Sequence, residues 1–325
     1  MVPKLNFRKY VCLLPGIIFL IISGCEPEKP STLPELSTLT LTGVTSSSAI
    51  SGGNISFDGG SSVLKRGVCW STIYDPTISD NVTTDGAGTG SFSSSITGLS
   101  GGTDYYIRAF ATNSKGTAYG NEIIFKTQLT DIDGNIYGTI IIGSQVWMSQ
   151  NLRTTRFSDN TPIPEIADNK LWCSLASPAF CWYSNDRNSD DMRFGALYNW
   201  FSVNTGRLCP SGWHVPDDSE WNVLTAYLGG EYYAGGLLKE VGMSHWESPN
   251  AGASNYFSFS ALPAGYRSGL TSGLFHAKGY MSWWWTNTEY NSNWARTRAI
   301  EFDVTDIAGG NGVKRNGYSV RCIRD

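Results

Sequence analysis

The stretch "GRLCPSGWHVPDDSEWNVLTAYLGG", Gly206 to Gly230, decides how the C-terminal half of the chain is read. It gathers a cysteine, a histidine and three carboxylates, which could be ligands of a site or punctuation of a scaffold. The spacing favours punctuation. Asp217 sits as an N-cap with Glu220 three residues on, the reciprocal partner of a capping box. Pro216 forces an extended approach, and Trp221, Leu224 and Leu228 recur at i, i+3 and i+7 as one apolar face. Gly229-Gly230 then ends the helix. Caps and the N-terminal dipole account for the carboxylates. His214 lies in a short β segment between Trp213 and Val215. The other two histidines stand at 245 and 276, so no close pair makes a zinc site, and a packed, hydrogen-bonded imidazole is expected.

The whole chain fits a scaffold of short strands. Its 325 residues suffice for about two domains. Charged residues are 16% of the total, aromatics 13%, and there are 36 glycines. That mixture suits strands and turns around aromatic cores. A net charge of −4 without any Lys/Arg cluster excludes a nucleic-acid partner.

The N-terminus reads as an address. Lys4, Arg8 and Lys9 precede the apolar run from Val11 to Ile22, which is shorter than the ~20 residues of a membrane-spanning helix. "ISGC", Ile22 to Cys25, resembles the lipobox of bacterial lipoproteins. The resemblance implies a signal peptide over residues 1–24 and a lipid on Cys25, several acyl chains making the membrane attachment permanent. The expected location is the bacterial cell envelope, at the outer membrane; the acidic start at Glu26 and Glu28 resembles the export signals that send some lipoproteins to the cell surface, and display there is what that resemblance implies. Residues 25–36, with Pro27, Pro30 and Pro34, read as a tether.

Residues 37–128 read as a β-sandwich of six or seven short alternating strands. In "LSGGTDYYIRAFATNSKG", Leu99, Thr103 and Tyr105 resemble the tyrosine corner of fibronectin type III domains, with Gly101 in place of the usual proline. Cys69 beside Trp70 is expected as a buried thiol. After a boundary at "KTQLTDIDGN", Asp131-x-Asp133 looks briefly like a calcium loop, but Gly134 stands at position four and Ile142 at position twelve. Asp133-Gly134 is better read as a hairpin turn, with a second turn at Gly143-Ser144. A further helix is expected in "GALYNWFSVN", where Leu197, Trp200 and Phe201 share a face.

Four ordered stretches carry a family resemblance: "DIDGNIYGTIIIGSQVWMSQNLRTTRFSDNTPIP", "GALYNWFSVNTGRLCPSGWHVPDDSEWNVL", "ALPAGYR" and "RNGYSVRCIRD". Together they resemble the Fibrobacter succinogenes major paralogous domain, over residues 130–325. That family is similar to the formylglycine-generating-enzyme branch of the C-type lectin-like fold, so the expected second fold is an α+β C-type lectin-like domain. The four cysteines 173, 181, 209 and 322 allow three pairings. The resemblance implies the long-range bridge Cys209–Cys322, and Cys173 and Cys181 would then close the loop "CSLASPAFC".

No catalytic residue is expected. The R-G-G-S-W motif of formylglycine-generating enzymes is missing, and no G-x-S-x-G or H-E-x-x-H stands in the chain. The sugar-binding calcium cage of C-type lectins would need E-P-N and W-N-D; "ESPN" (Glu247 to Asn250) has an extra residue and "WTN" (Trp285 to Asn287) lacks the acid. No cofactor is implied. "DRNSDD", with Asp186, Asn188, Asp190 and Asp191, could offer oxygens to calcium, although a solvated acidic loop is the more usual reading. The aromatic run "GYMSWWWTNTEYNSNW", Gly279 to Trp294, remains. Alternation sends Trp284 to one face and Trp283 and Trp285 to the other, so some are core. Tyr290, Asn291, Asn293 and Trp294 instead combine rigid aromatic contact with adaptable hydrogen bonding, and form the candidate contact set for a glycan or protein ligand. The alternatives are a structural lipoprotein in an assembly, with no small ligand, and, least favoured, an enzyme related to formylglycine-generating enzymes.

Overall fold

The structure, a computed structural model, describes residues 30–187, 191–270 and 272–325. The signal segment 1–24, the lipid-attachment residue Cys25 and residues 26–29 lie outside them, as do Asn188 and Asp190 of the acidic loop.

Alternation builds the N-terminal sandwich. Its strands are β1 (Glu35–Thr38), β2 (Ser48–Phe57), β3 (Lys65–Ser71), β4 (Asn81–Val82), β5 (Gly90–Thr97), β6 (Asp104–Asn113), β7 (Gly116–Tyr119) and β8 (Ile123–Lys126). β1, β2 and β5 form one antiparallel sheet; β4, β3, β6 and β7 form the other, with β8 also on β6. In β5, Phe92, Ser94 and Ile96 point inward while their neighbours face solvent, as a half-buried strand requires. Facing side chains Ile55, Val68, Phe92, Ile96, Ile107 and Phe125 fill the space between the sheets. The Tyr105 hydroxyl accepts the Ser100 N–H at 3.0 Å, which closes the corner expected from the sequence. Cys69 is fully buried in β3, and burial pushes its thiol up to about 11.

The chain then runs through β9 (Leu129–Thr130) and β10 (Ile136–Tyr137), an antiparallel pair around Asp133-Gly134. Donors already surround the acids of this turn. Asp131 accepts the N–H groups of Asp133 and Asn135, and Asp133 accepts from Thr154 and Thr155. β11 (Thr139–Ile142) and β12 (Gln145–Met148) pair across Gly143-Ser144, the second expected turn; Gly143 has φ +62°. Leu129 is buried in the aromatic core of the C-terminal part. The Trp213 indole donates to the Gly101 carbonyl at 3.2 Å, so the corner of the sandwich docks onto that same core.

The C-terminal part is β-rich with short helices. α1 (Asn169–Ser174) leads to β13 (Phe180–Cys181), which pairs with β14 (Leu197–Tyr198). α2 (Trp200–Val203), β15 (Trp213–His214), α3 (Asp218–Tyr227) and α4 (Glu231–Leu238) come next along the chain. A five-stranded sheet closes the fold: β16 (Ala264–Arg267), β17 (Phe275–Lys278), β18 (Met281–Glu289), β19 (Trp294–Glu301) and β20 (Ala308–Val313), in the order β17-β16-β18-β19-β20. The last strand, β21 (Ile323–Arg324), sits between β12 and β15. Both faces of β18 are covered. Trp285 joins Trp200, Trp213 and Tyr318 on one side, and Trp284 joins Trp147, Trp221 and Phe259 on the other.

The capping box at α3 forms in full: Asp217 accepts the Glu220 N–H and Glu220 accepts the Asp217 N–H. Trp221, Leu224 and Leu228 are buried. The helix expected over "GALYNWFSVN" is shorter. Asn199 caps it at the Ser202 N–H, while Leu197 and Tyr198 are drawn into pairing with β13 and with Tyr318. α4 was not expected, and its Gly235 and Gly236 are required by packing. A Cβ would stand 2.0 Å from the Asp306 carbonyl oxygen at the first and 2.6 Å from that of Gly252 at the second.

One expected bridge forms and one does not. Cys209 and Cys322, 113 residues apart, are joined; both are buried in the aromatic core. Cys173 and Cys181 are free thiols, which corrects the pairing expected for them. Trp172 turns into a small cluster with Ala179, Cys181 and Leu197. Cys173 is the next residue, about 100° further round the helix, and is only half-buried. Cys181 is fully buried, and desolvation pushes its thiol up to about 12 against the pull of Arg267.

Candidate functional site

Of the candidate contact residues, Tyr290, Asn291 and Asn293 fall on the turn of the β18–β19 hairpin and Trp294 opens β19 beside it. The two strands pair in register from Met281↔Glu301 to Trp285↔Thr297, and the register then shifts before Glu289↔Ala295. The bulge has local causes. The Asn287 N–H turns away to the Pro216 carbonyl at 2.8 Å. The Thr288 hydroxyl accepts the Asp218 N–H at 2.9 Å, so the first turn of α3 holds the strand where it leaves the core. Bulges re-aim side chains in this way.

Beyond the bulge the chain is exposed but fixed. The N–H groups of Tyr290 and Asn291 both donate to the Trp294 carbonyl at 3.0 Å. The Asn291 side-chain oxygen accepts the N–H groups of Asn293 (2.9 Å) and Trp294 (3.0 Å), an Asx-type closure of the turn. The Asn293 carbonyl accepts the Lys314 N–H at 3.0 Å. On this frame Tyr290 is 53% exposed and Trp294 37% exposed, with Asn291 and Asn293 exposed between them. The fold therefore brings all four residues to one place. Asn291 is committed to the turn through its oxygen, which leaves its amide N–H₂ and the Asn293 side chain as the adaptable polar groups.

Three further residues shape the tip. The Arg296 guanidinium lies 4.8 Å from the centre of the Tyr290 ring, a cation–π contact that restrains an otherwise free side chain. Lys314, nearly buried, pairs with Glu289 and sits 4.6 Å from the Trp200 ring, tying the tip to α2. Arg296 could have been found from the sequence, two residues past Trp294 on the same face of a strand. Lys314 is brought in from just beyond β20 by the fold and carries no local signal.

The remaining candidate positions are structural. Trp284 and Trp285 are fully buried, and their indoles donate to the Asn151 side-chain oxygen (2.9 Å) and the Tyr198 carbonyl (2.7 Å). Trp283 is half-buried and stacked on Tyr318 at 5.3 Å. His214 is bonded on both nitrogens, to Asp325 at 2.6 Å and to Glu220 at 2.9 Å. Burial alone would lower its pKa; the two carboxylates outweigh it and hold the imidazole above its ordinary value. Among the described residues no group of three or more His, Cys, Asp or Glu side chains is placed to hold a metal ion.

A family model described as the Fibrobacter succinogenes major domain matches residues 140–324, more than half of the chain and including every residue of the hairpin. No curated protein matches the chain. Among solved structures, the sensor domain of the anti-sigma factor RsgI4 of Pseudobacteroides cellulosolvens is similar at 17% identity, over 30% of this chain and 95% of that one, with a TM-score of 0.24. Domains of titin are similar at 18% identity, over 30% of this chain and 33% of that one, with a TM-score of 0.23. The twitchin kinase region of C. elegans is similar at 12% identity, over 61% of this chain and 34% of that one, with a TM-score of 0.21.

Proposed function

We propose that this chain, which belongs to the Fibrobacter succinogenes major domain family, is a non-catalytic binding protein that takes a glycan or protein ligand at the tip of its β18–β19 hairpin. The observation that carries this reading is the exposure of Tyr290 and Trp294 on a backbone that Asn291 holds closed. Rigid aromatic rings lose little entropy when they become a contact, and fixed loops lose less still. The polar groups beside them supply direction.

In this reading Cys25 carries the lipid anchor, residues 25–36 hold the protein off the bilayer, and the sandwich over residues 37–128 serves as a fibronectin type III-like spacer. The C-type lectin-like domain over residues 130–325 presents the contact surface outside the cytoplasm. Two measurements test it. Membrane partition of wild type and Cys25→Ser should differ, with only the variant released; equal release removes the anchor. On a glycan array, wild type should retain a defined set of glycans, and Tyr290→Ala/Trp294→Ala should lose them at least tenfold, since aromatic anchors dominate such contacts. Identical retention by both proteins removes the tip from the site.

A further inference from the structure

Three arginines are buried in the C-terminal part, and their surroundings differ. Arg298 pairs with Asp218 at 2.6 Å. Arg267 has no such partner, but it makes four hydrogen bonds, to the carbonyls of Ile166, Ala167 and Gly273 and to the Asn169 side chain. Arg321, 1% exposed, has neither arrangement. Its Nε and Nη2 share the Asn151 side-chain oxygen at 3.2 and 2.9 Å, and Nη1 donates to the Phe259 carbonyl. A guanidinium carries five N–H groups in a planar fork, so two are left over. The Phe259 ring lies 4.0 Å from the guanidinium carbon and supplies only a partial counter-field.

Arg321 also lines a cleft of about 90 Å³, together with Ser149, Gln150, Ser260, Leu262, Arg193 and Glu240. Gln150 and Arg193 are exposed while Arg321 is not, so the arginine forms the inner end. Glu240 is held by His245 at 2.7 Å and is not ion-paired to Arg321. Burial lowers the Arg321 pKa to about 9 with no carboxylate opposing it. A buried cation without a counter-charge is costly, and here an open space bordered mostly by polar residues lies against it.

We propose that this cleft is a second binding site, one that takes the carboxylate of a small organic acid or of an acidic sugar onto Arg321. The planar fork matches a carboxylate in two parallel N–H···O bonds. A single uncompensated charge suits a monoanion, and the nearby Glu240 disfavours a phosphate dianion. The size agrees. The cleft has room for several waters, enough for a carboxylate head, but it is small against the ~300–1,000 Å³ of pockets that enclose whole ligands. A sugar ring would therefore stay at the mouth, beside Gln150 and Arg193. The site does not depend on the hairpin tip.

Isothermal titration of the full chain in detergent with glucuronate, acetate, glucose and inorganic phosphate, at matched chloride, tests the proposal. Saturable binding of glucuronate or acetate, with none of glucose, is expected; glucuronate binding tighter than acetate assigns an acidic sugar, and equal binding assigns the small acid. Leu262→Trp fills the cleft while keeping the Arg321 side chain and should weaken binding at least tenfold. Glu240→Gln removes the competing carboxylate and should strengthen it roughly threefold, the size of a partly exposed charge interaction. Tyr290→Ala/Trp294→Ala should leave it unchanged, which separates this site from the tip. Absence of saturable carboxylate binding, binding that survives Leu262→Trp, or phosphate binding tighter than either acid overturns the proposal.

Discussion

The β18–β19 hairpin contains the same residue types at its base and at its tip, and they do opposite things. At the base, Trp284 and Trp285 are fully buried, with their indole N–H groups on Asn151 and Tyr198. Arg298 lies opposite Trp284 in the register and is neutralised by Asp218. At the tip, less than ten residues on, Tyr290 and Trp294 face water and an asparagine closes the turn. Residue type does not separate the two regions. Coverage does: two cores sandwich the base, and the bulge after Trp285 lifts the strand out from between them.

The comparison breaks first if the base is not core. Trp284→Ala removes a fully buried ring from a cluster with Trp221 and Phe259, and also strips one donor from Asn151. A loss of about 3–5 kcal/mol is expected, read as the shift of the urea midpoint at constant slope. A loss under ~1 kcal/mol would place the ring at a surface.

The covalent tie behind the base comes next. Replacing Cys209 and Cys322 together by serine should cost about 2–5 kcal/mol, since the bridge closes a loop of more than a hundred residues in the unfolded chain. Cys173→Ser should cost under ~0.5 kcal/mol, because that thiol is free and half-buried. Non-reducing peptide mapping should find the 209–322 linkage and unlinked Cys173 and Cys181; a linked 173–181 peptide would overturn the free-thiol assignment.

What was legible in the sequence is what local chemistry dictates. The Asp217/Glu220 capping box, the turn at Gly143-Ser144 and the Tyr105 corner each rest on a few neighbouring residues, and each formed. The exposure of the tip was legible for the same reason, since Tyr290 to Trp294 come after a strand and break its alternation. The failures depend on what lies across space. Whether Cys173 reaches Cys181 is set by which face of α1 meets the cluster around Trp172. α4 has two glycines that lower its helix propensity, and they are required by carbonyls from distant loops. Arg321, in "SVRCIRD", carries no local signal of its burial, which comes from elements packed against the segment in the fold.

A smaller effect probes the joint between α3 and the tip. Asp217→Ala removes the N-cap and should cost about 1 kcal/mol, measured by thermal unfolding; an unchanged midpoint would mean the cap is replaced by another acceptor. The neighbouring His214 adds a pH signature. Its folded pKa is raised above the ordinary 6.5, so the stability from its bonds to Glu220 and Asp325 is full below that value. That contribution falls away as pH rises through the folded pKa. His214→Gln should flatten this fall on the alkaline side of the ordinary imidazole value of 6.5; an identical pH profile in the variant would exclude the imidazole as its source.

The smallest expected effect lies at the tip, and it sharpens the comparison most. Tyr290→Ala/Trp294→Ala removes two rings, as large a change in atoms as any at the base. Yet Tyr290 already leaves half its surface in water and Trp294 more than a third. What they lose on truncation is the part of each ring that rests on the hairpin, and the stacking of Arg296 on Tyr290, worth ~0.5–1 kcal/mol at an exposed site. The turn itself survives, because its closure runs through the Asn291 side chain and the Trp294 backbone. The tie between Glu289 and Lys314 also survives. The double variant should therefore unfold within about 1 kcal/mol of wild type, against the ~3–5 kcal/mol expected for one ring at the base. If it loses several kcal/mol, or if Asn291→Ala costs less than the double ring deletion, the rings hold the hairpin together. The tip would then belong with the base as scaffold, and the chain would be read as a structural lipoprotein.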